Sequence, residues 1–280
     1  MKNNLYKKMK RGFVYASSIV MMSAFAVGCS ESGNDVAGGA SGDAGVIAIV
    51  DKQIAGVSQK GPFVKGSSVV LKETSADGNL KPTGKEFFAT TRSELGDFVI
   101  DNLNLESQFV RLAATGYYKS ETTGENSKCQ ISLNALSDIS ARDTVNINIF
   151  THLESGRMLR LVKKGKSFAE AKKQAHRELM ESFAYGDLAE DSENLDVTSE
   201  TKAGRALKYV SSIIDGDLHA LQSDVGENVY CDANQEFIDV LADMFTESGD
   251  FSGDYRTIYV PDALINLFKL QLIELGSYED

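Results

Sequence analysis

The chain is 280 residues long, with 29 basic against 40 acidic side chains, a formal net charge of −11, and 42% hydrophobic and 25% charged residues. Those proportions are globular, and the length suits about two domains of ordinary size. The acidic balance argues against DNA and RNA, whose phosphate backbone is held mainly by Lys and Arg. No apolar run reaches the roughly eighteen residues that cross a bilayer, which excludes a polytopic membrane protein.

Lys2, Lys7, Lys8, Lys10 and Arg11 precede an apolar stretch from Phe13 to Val27, followed by Gly28 and Cys29. Basic, apolar, then small is the order of a secretory signal peptide. Ala26-Val27-Gly28-Cys29 resembles a bacterial lipobox. Residues 1–28 are therefore expected to be removed, and the Cys29 thiol to receive a diacylglyceryl group; an ordinary signal peptide with an incidental cysteine, or a core helix, is the competing reading. Each buried methylene adds about 0.8 kcal/mol, so two or three acyl chains hold firmly where one does not. Ser30 stands where an inner-membrane retention signal would have Asp, and by resemblance to other lipoproteins this points to the outer membrane. Cleavage removes five basic residues, leaving 252 residues with 24 basic against 40 acidic side chains, a charge of −16. The stretch SESGNDVAGGASGDAG that follows, within residues 29–45, reads as a flexible tether with a reach of roughly 20–24 Å.

From residue 46 to 150 the pattern is alternation broken by turns: VIAIV, IAGVS, SSVVLKE, EFFATT, DFVID, FVRLAA, CQISL and VNINIF. Period two predicts half-buried strands, and Asp77-Gly78-Asn79 and Leu95-Gly96-Asp97 supply turns. The spacing suits an antiparallel β-sandwich of about seven strands, with Val69, Leu71, Phe98, Ile100, Leu112 and Leu133 in its core. Gly56-Val57-Ser58, Phe63-Val64-Lys65-Gly66-Ser67-Ser68-Val69, Gly96-Asp97-Phe98-Val99-Ile100 with Leu103, and Gly116-Tyr117 occur in an order that resembles a carboxypeptidase-regulatory-like, or prealbumin-like, sandwich. The wider string GVSQKGPFVKGSSV, with ATGYYKSE, LNAL and NINIFTHLE, resembles a family of uncharacterised bacterial lipoproteins found in bacteria that degrade plant fibre. That resemblance implies a fold and an address but carries over no catalytic residue. Some relatives of such a sandwich form Lys–Asn bonds, for which Lys52 or Lys60 and Asn146 or Asn148 would be needed; alternation instead reads these as solvent-facing.

Residues 151–280 change to helical spacing, and the fold class expected is α+β, a β-sandwich followed by an α-helical bundle. Thr151 with Glu154 reads as a capping box opening a first helix, and Ser167 with Glu170 as a second. Ala203 to Ile214 marks a third that should stop at Asp215-Gly216, Phe237 to Phe245 a fourth, and Pro261 opens a fifth expected across the bundle centre.

Reactive motifs are few. His152, His176 and His219 lack paired metal-ligand spacing and read as surface or capping histidines. No G-x-S-x-G occurs, and Gly165-Lys166-Ser167 lacks the upstream glycine of a phosphate loop. Asp232-Ala-Asn-Gln-Glu236 with Asp243 has the spacing of a calcium loop but Phe237 where that loop needs glycine, so helix capping is preferred. The five acids between Asp187 and Asp196 read as a solvated loop. No cofactor is implied. Cys129 and Cys231, in an oxidising compartment, could form a disulfide or stay as two thiols. Eight basic residues between Arg157 and Arg177, among them Lys163, Lys164, Lys172 and Lys173, read either as a wet helical face or as a patch for anionic headgroups or acidic polysaccharide. With no Trp in the chain, tyrosines such as Tyr117, Tyr118, Tyr255 and Tyr259 are the candidate stacking residues, with strand-end packing the competing reading for Tyr117 and Tyr118. The expected function is a non-enzymatic interaction or adhesion module held to the membrane by lipid, with polysaccharide or an envelope protein as partner. An envelope hydrolase at the domain junction and a structural spacer are the alternatives.

Overall fold

The computed structural model describes residues 45–225 and 229–277; the predicted signal peptide, Cys29 and all of the tether but Gly45 lie outside them. Seven strands come first: β1 (Ile49–Gln59), β2 (Ser68–Thr74), β3 (Pro82–Thr90), β4 (Asp97–Leu105), β5 (Phe109–Gly116), β6 (Ile131–Asp138) and β7 (Ile147–Asn148). Five helices follow: α1 (Ile149–Lys163), α2 (Phe168–Ser182), α3 (Lys202–Val225), α4 (Tyr230–Ser248) and α5 (Asp262–Ser277), with a short 3-10 turn at Ser192–Asn194. The protein is α+β.

The strands form two sheets, one in the order β4-β1-β7 and one in the order β3-β2-β5-β6. All neighbours are antiparallel except β1 and β7, which run parallel. Register follows the apolar alternation: Leu71 faces Leu112, Leu112 faces Ala135, and Ile54 faces Ile100. A one-residue slip would turn these side chains outward, so burial of one face fixes the pairing. The end of the VIAIV segment, from Ile49, and the IAGVS segment join into the single strand β1, bent by register shifts between Ile49 and Ile54.

The inward residues of both sheets and of α1 to α5 share one apolar core, from Ile54, Leu71 and Leu112 through Phe150 and Leu207 to Phe237 and Phe268. Its helical end is aromatic: Phe251 sits 5.3 Å from Phe183, 5.8 Å from Phe245 and 5.3 Å from Phe268, centroid to centroid, each pair tilted or edge-on as ring quadrupoles favour.

The helix ends correct several expectations. The first helix begins two residues before Thr151: Asn148 is the N-cap, its side chain accepting from the Thr151 N–H while the Thr151 hydroxyl bonds the Asn148 backbone. Thr151 thus closes the box instead of opening it, and Glu154 is free for other partners. The Ser167–Glu170 box opens α2 as read. The third helix runs through Asp215-Gly216 to Val225, because nothing crowds Gly216 and an isolated glycine costs only about 1 kcal/mol in a packed helix. The fourth starts at Tyr230, so the calcium-like run from Asp232 lies within helix and forms no loop. The fifth helix keeps Ile265 and Phe268 inside but exposes Leu267, Leu270 and Ile273, so it lies at an edge and not across a centre.

Candidate functional site

Cys129, just before β6, and Cys231, in the first turn of α4, are joined by a disulfide with Cα atoms 5.3 Å apart. Closing a loop of about 100 residues contributes up to roughly 4.7 kcal/mol in the chain-entropy model. Of the ligand surface read from the sequence, Tyr117 is exposed, as are Lys163, Lys164 and Lys173. Tyr118 and Lys172 leave that surface. Tyr118 is 3% exposed, packed below the Lys60 ammonium at 5.1 Å, and Lys172 turns inward to Glu154 and Glu193. Arg157 and Arg160 are also committed, to Glu178 and Glu247, so the basic run is a narrower patch than its sequence suggests.

The largest departure from the sequence reading is at the end of β1. Gly61 brings residues 60–62 against the segment after β5; a Cβ there would lie 1.9 Å from the Lys119 carbonyl oxygen. That approach carries Lys60 inside with no exposed surface. Its Nζ donates to Glu121 Oε2 at 2.9 Å, the Ser211 carbonyl at 3.0 Å and Asp215 Oδ1 at 3.2 Å, three acceptors for three N–H groups. Asp215 Oδ2 accepts from Ser120 Oγ at 2.7 Å, Thr122 Oγ1 at 2.7 Å and the Thr122 backbone at 3.1 Å. Burial pushes the Asp215 carboxyl up, but Lys60 and those donors outweigh it and hold it at about 2. For Glu121 burial prevails over Lys60 and Ser211, and the carboxyl is pushed up. His219 faces the cluster with Nε2, 3.2 Å from Ser120 Oγ and 3.7 Å from Asp215 Oδ2. A nucleophilic relay needs the imidazole between hydroxyl and carboxylate on opposite nitrogens; here one nitrogen meets both, and Ser120 gives its proton to Asp215. Neither Lys60 nor Asn146 and Asn148 is solvent-facing. Asn146 bonds the Val57 N–H and the Leu195 carbonyl, and Asn148 caps α1.

A second buried cluster joins α1, α2 and the 3-10 turn. Glu154 Oε1 accepts from Ser192 Oγ at 2.6 Å and His176 Nδ1 at 2.9 Å, while Oε2 meets Lys172 Nζ at 3.2 Å. His176 Nε2 donates to the Leu188 carbonyl at 3.1 Å. Burial favours neutral imidazole, but Glu154 and that carbonyl outweigh it and push His176 up. Glu193, expected in a solvated loop, is 1% exposed and contacts Lys172. His152 and His176 are likewise buried, not surface residues.

A cleft of about 340 Å³ opens where the second sheet meets α1 and α4, walled by Arg111, Asn134, His152, Gly156, Asp239 and Asp243. Gly156 lets the helices close, since a Cβ would lie 2.0 Å from Thr246 Oγ1. His152 Nδ1 accepts the Asn134 N–H at 3.2 Å, which places the ring proton on Nε2. Nε2 has no hydrogen-bond partner among the described residues and lies 3.8 Å from Asp239 Oδ1. Burial, with Arg111 nearby, lowers His152 to about 4, so the ring is neutral at pH 7 and its protonated Nε2 cannot ligate a metal. Burial raises both Asp239 and Asp243. Ser155, the hydroxyl on this wall, donates to the Thr151 carbonyl at 2.6 Å.

Sequence reasoning missed Lys60, Glu121 and Asp215 as a unit. The one local signal is a lysine ending an apolar strand before Gly61-Pro62; its partners are 61 and 155 residues away. No family model, curated protein or solved structure matches the chain.

Proposed function

We propose that the chain is a lipid-anchored outer-membrane lipoprotein whose folded part is a non-enzymatic interaction or adhesion module, with polysaccharide or an envelope protein as its partner. The observation that carries this is the N-terminal order of basic start, apolar stretch and Ala26-Val27-Gly28-Cys29, followed by a glycine-rich tether. The two sheets are read as a carboxypeptidase-regulatory-like sandwich, supported by their shared apolar interior, and the helices as a bundle docked on it. Exposed Lys163, Lys164 and Lys173 supply a local positive face on an otherwise acidic body, suited to anionic headgroups or polymers. The alternative of an envelope hydrolase would use the His152 cleft, but the Ser155 proton there is committed to a carbonyl and not to His152.

The test is Cys29→Ser expressed in a Gram-negative host. The wild type is expected in the outer-membrane fraction with an intact mass carrying the lipid, and the variant in the soluble fraction without it. A variant still membrane-bound and unchanged in mass ends the proposal.

A further inference from the structure

The first three turns of α3 and the segment after α2 enclose a groove of about 490 Å³ that the anchor reading does not use. This lies in the range of roughly 300–1,000 Å³ common for ligand clefts. Lys202, Arg205, Tyr209 and Ser212 share one helical face at three- and four-residue spacing, and Tyr185 forms the opposite wall. Tyr209 is 50% exposed, a flat amphipathic ring turned to solvent without a hydrogen-bond partner among the described residues. Three cations line the groove with one acid, Glu200, in a chain of net charge −11. Lys202 is held by Asp187. Arg205 spends one N–H on the Glu200 carbonyl, and neither Arg205 nor Lys208 makes an ion pair among the described residues.

The geometry points to a binding site for an acidic polysaccharide, in which a uronic-acid ring stacks on Tyr209 and its carboxylate is gripped by Arg205 and Lys208. The guanidinium retains N–H groups for a charge-assisted pair with a carboxylate, stronger than a neutral hydrogen bond. Tyr supplies an apolar face with a polar tip, matching a pyranose that shows C–H on its faces and hydroxyls on its rim. A neutral sugar would use the ring but leave both cations without counter-charges. The proposal rests on the reading of the chain as an envelope interaction module and names its ligand.

The experiment is calorimetric titration of the full chain, solubilised in detergent, with a galacturonate hexamer and with cellohexaose. Anchoring plays no part in it, so failure here leaves the anchored reading standing. The acidic hexamer is expected to bind at least tenfold more tightly than the neutral one, and more weakly as salt is raised. Arg205→Gln and Lys208→Gln should each weaken it about tenfold through loss of one charge-assisted contact, and Tyr209→Ala about tenfold through loss of stacking, without altering the thermal melt. Lys65→Glu with Lys128→Glu, exposed positions outside the groove, should leave affinity unchanged. No binding of the acidic hexamer at millimolar concentration, equal affinity for cellohexaose, or loss through the Lys65 and Lys128 changes alone overturns the proposal; the comparison of the two oligomers on the wild type needs no variant to fold.

Discussion

Asp215 and Asp217 lie two residues apart on the same helix, both essentially buried, and their carboxyls are pushed in opposite directions, to about 2 and to about 6. Two residues along an α-helix turn the side chain by about 200°, so one faces the strand region and the other faces α5. On the strand side wait Lys60, Ser120 and Thr122. On the α5 side the partner among the described residues is Gln271, whose Nε2 lies 3.2 Å from Asp217 Oδ1. Burial acts against charge at both; a cation and three donors reverse it at one, and a single amide does not at the other. Asp217 Oδ2 and Gln271 Oε1 are also both unpartnered among the described residues. A proton on Oδ2 could give that pair a second hydrogen bond, and the ionised acid forfeits it. Burial therefore does not predict the charge state on α3; the partner across the interface does.

The strongest way to break the contrast is to make Asp215 resemble Asp217. Lys60→Ala strands two carboxyls in a buried site, and removing one partner of a buried ion cluster costs about 3–5 kcal/mol. Urea unfolding should show that loss, and Lys60→Met combined with Glu121→Gln and Asp215→Asn should recover most of it, because the buried charges are then gone together. If Lys60→Ala alone were neutral, the cluster would not be holding β1 to α3.

The converse change relieves Asp217. Its folded value of about 6 lies above the ordinary 3.8, so between pH 4 and 6 the folded protein binds a proton that the unfolded chain has lost, and stability falls as pH rises through that window. Asp217→Asn removes the dependence. Compared with the wild type it should stabilise by about 1–3 kcal/mol at pH 8 and make little difference at pH 4, read from unfolding midpoints across pH.

How much of this the sequence discloses depends on how far each partner is along the chain. Strand alternation and the Ser167–Glu170 box are local, and both were legible. Lys172 is not: it sits in a run of eight cations that reads as a wet face, while the acids that draw it inward, Glu154 and Glu193, are 18 and 21 residues away. Asp215-Gly216 misleads for a related reason. The dipeptide has turn chemistry, but core contacts on both sides, from Leu207 and Ile214 to Leu218 and Leu221, carry the helix through it, and only that continuation sets Asp215 and Asp217 on opposite faces. The Tyr185–Tyr209 groove was likewise hidden, since its walls come from α3 and from the segment after α2, with no shared motif.

The smallest effect isolates one donor. Thr122→Val removes the hydroxyl bond to Asp215 Oδ2 while Ser120 and the Thr122 backbone N–H still reach it. The expected cost is about 1 kcal/mol near neutral pH, because a carboxylate keeping two donors and a cation loses only part of its support. Its sign against pH is opposite to that at Asp217. A depressed carboxyl stabilises above its ordinary value and loses that contribution as pH falls from about 4 toward 2, so the deficit of the Thr122→Val variant should shrink over the same interval and be nearly gone at pH 2. A deficit that persisted unchanged at pH 2 would locate the effect in loop packing and remove Thr122 from the groups that separate Asp215 from Asp217.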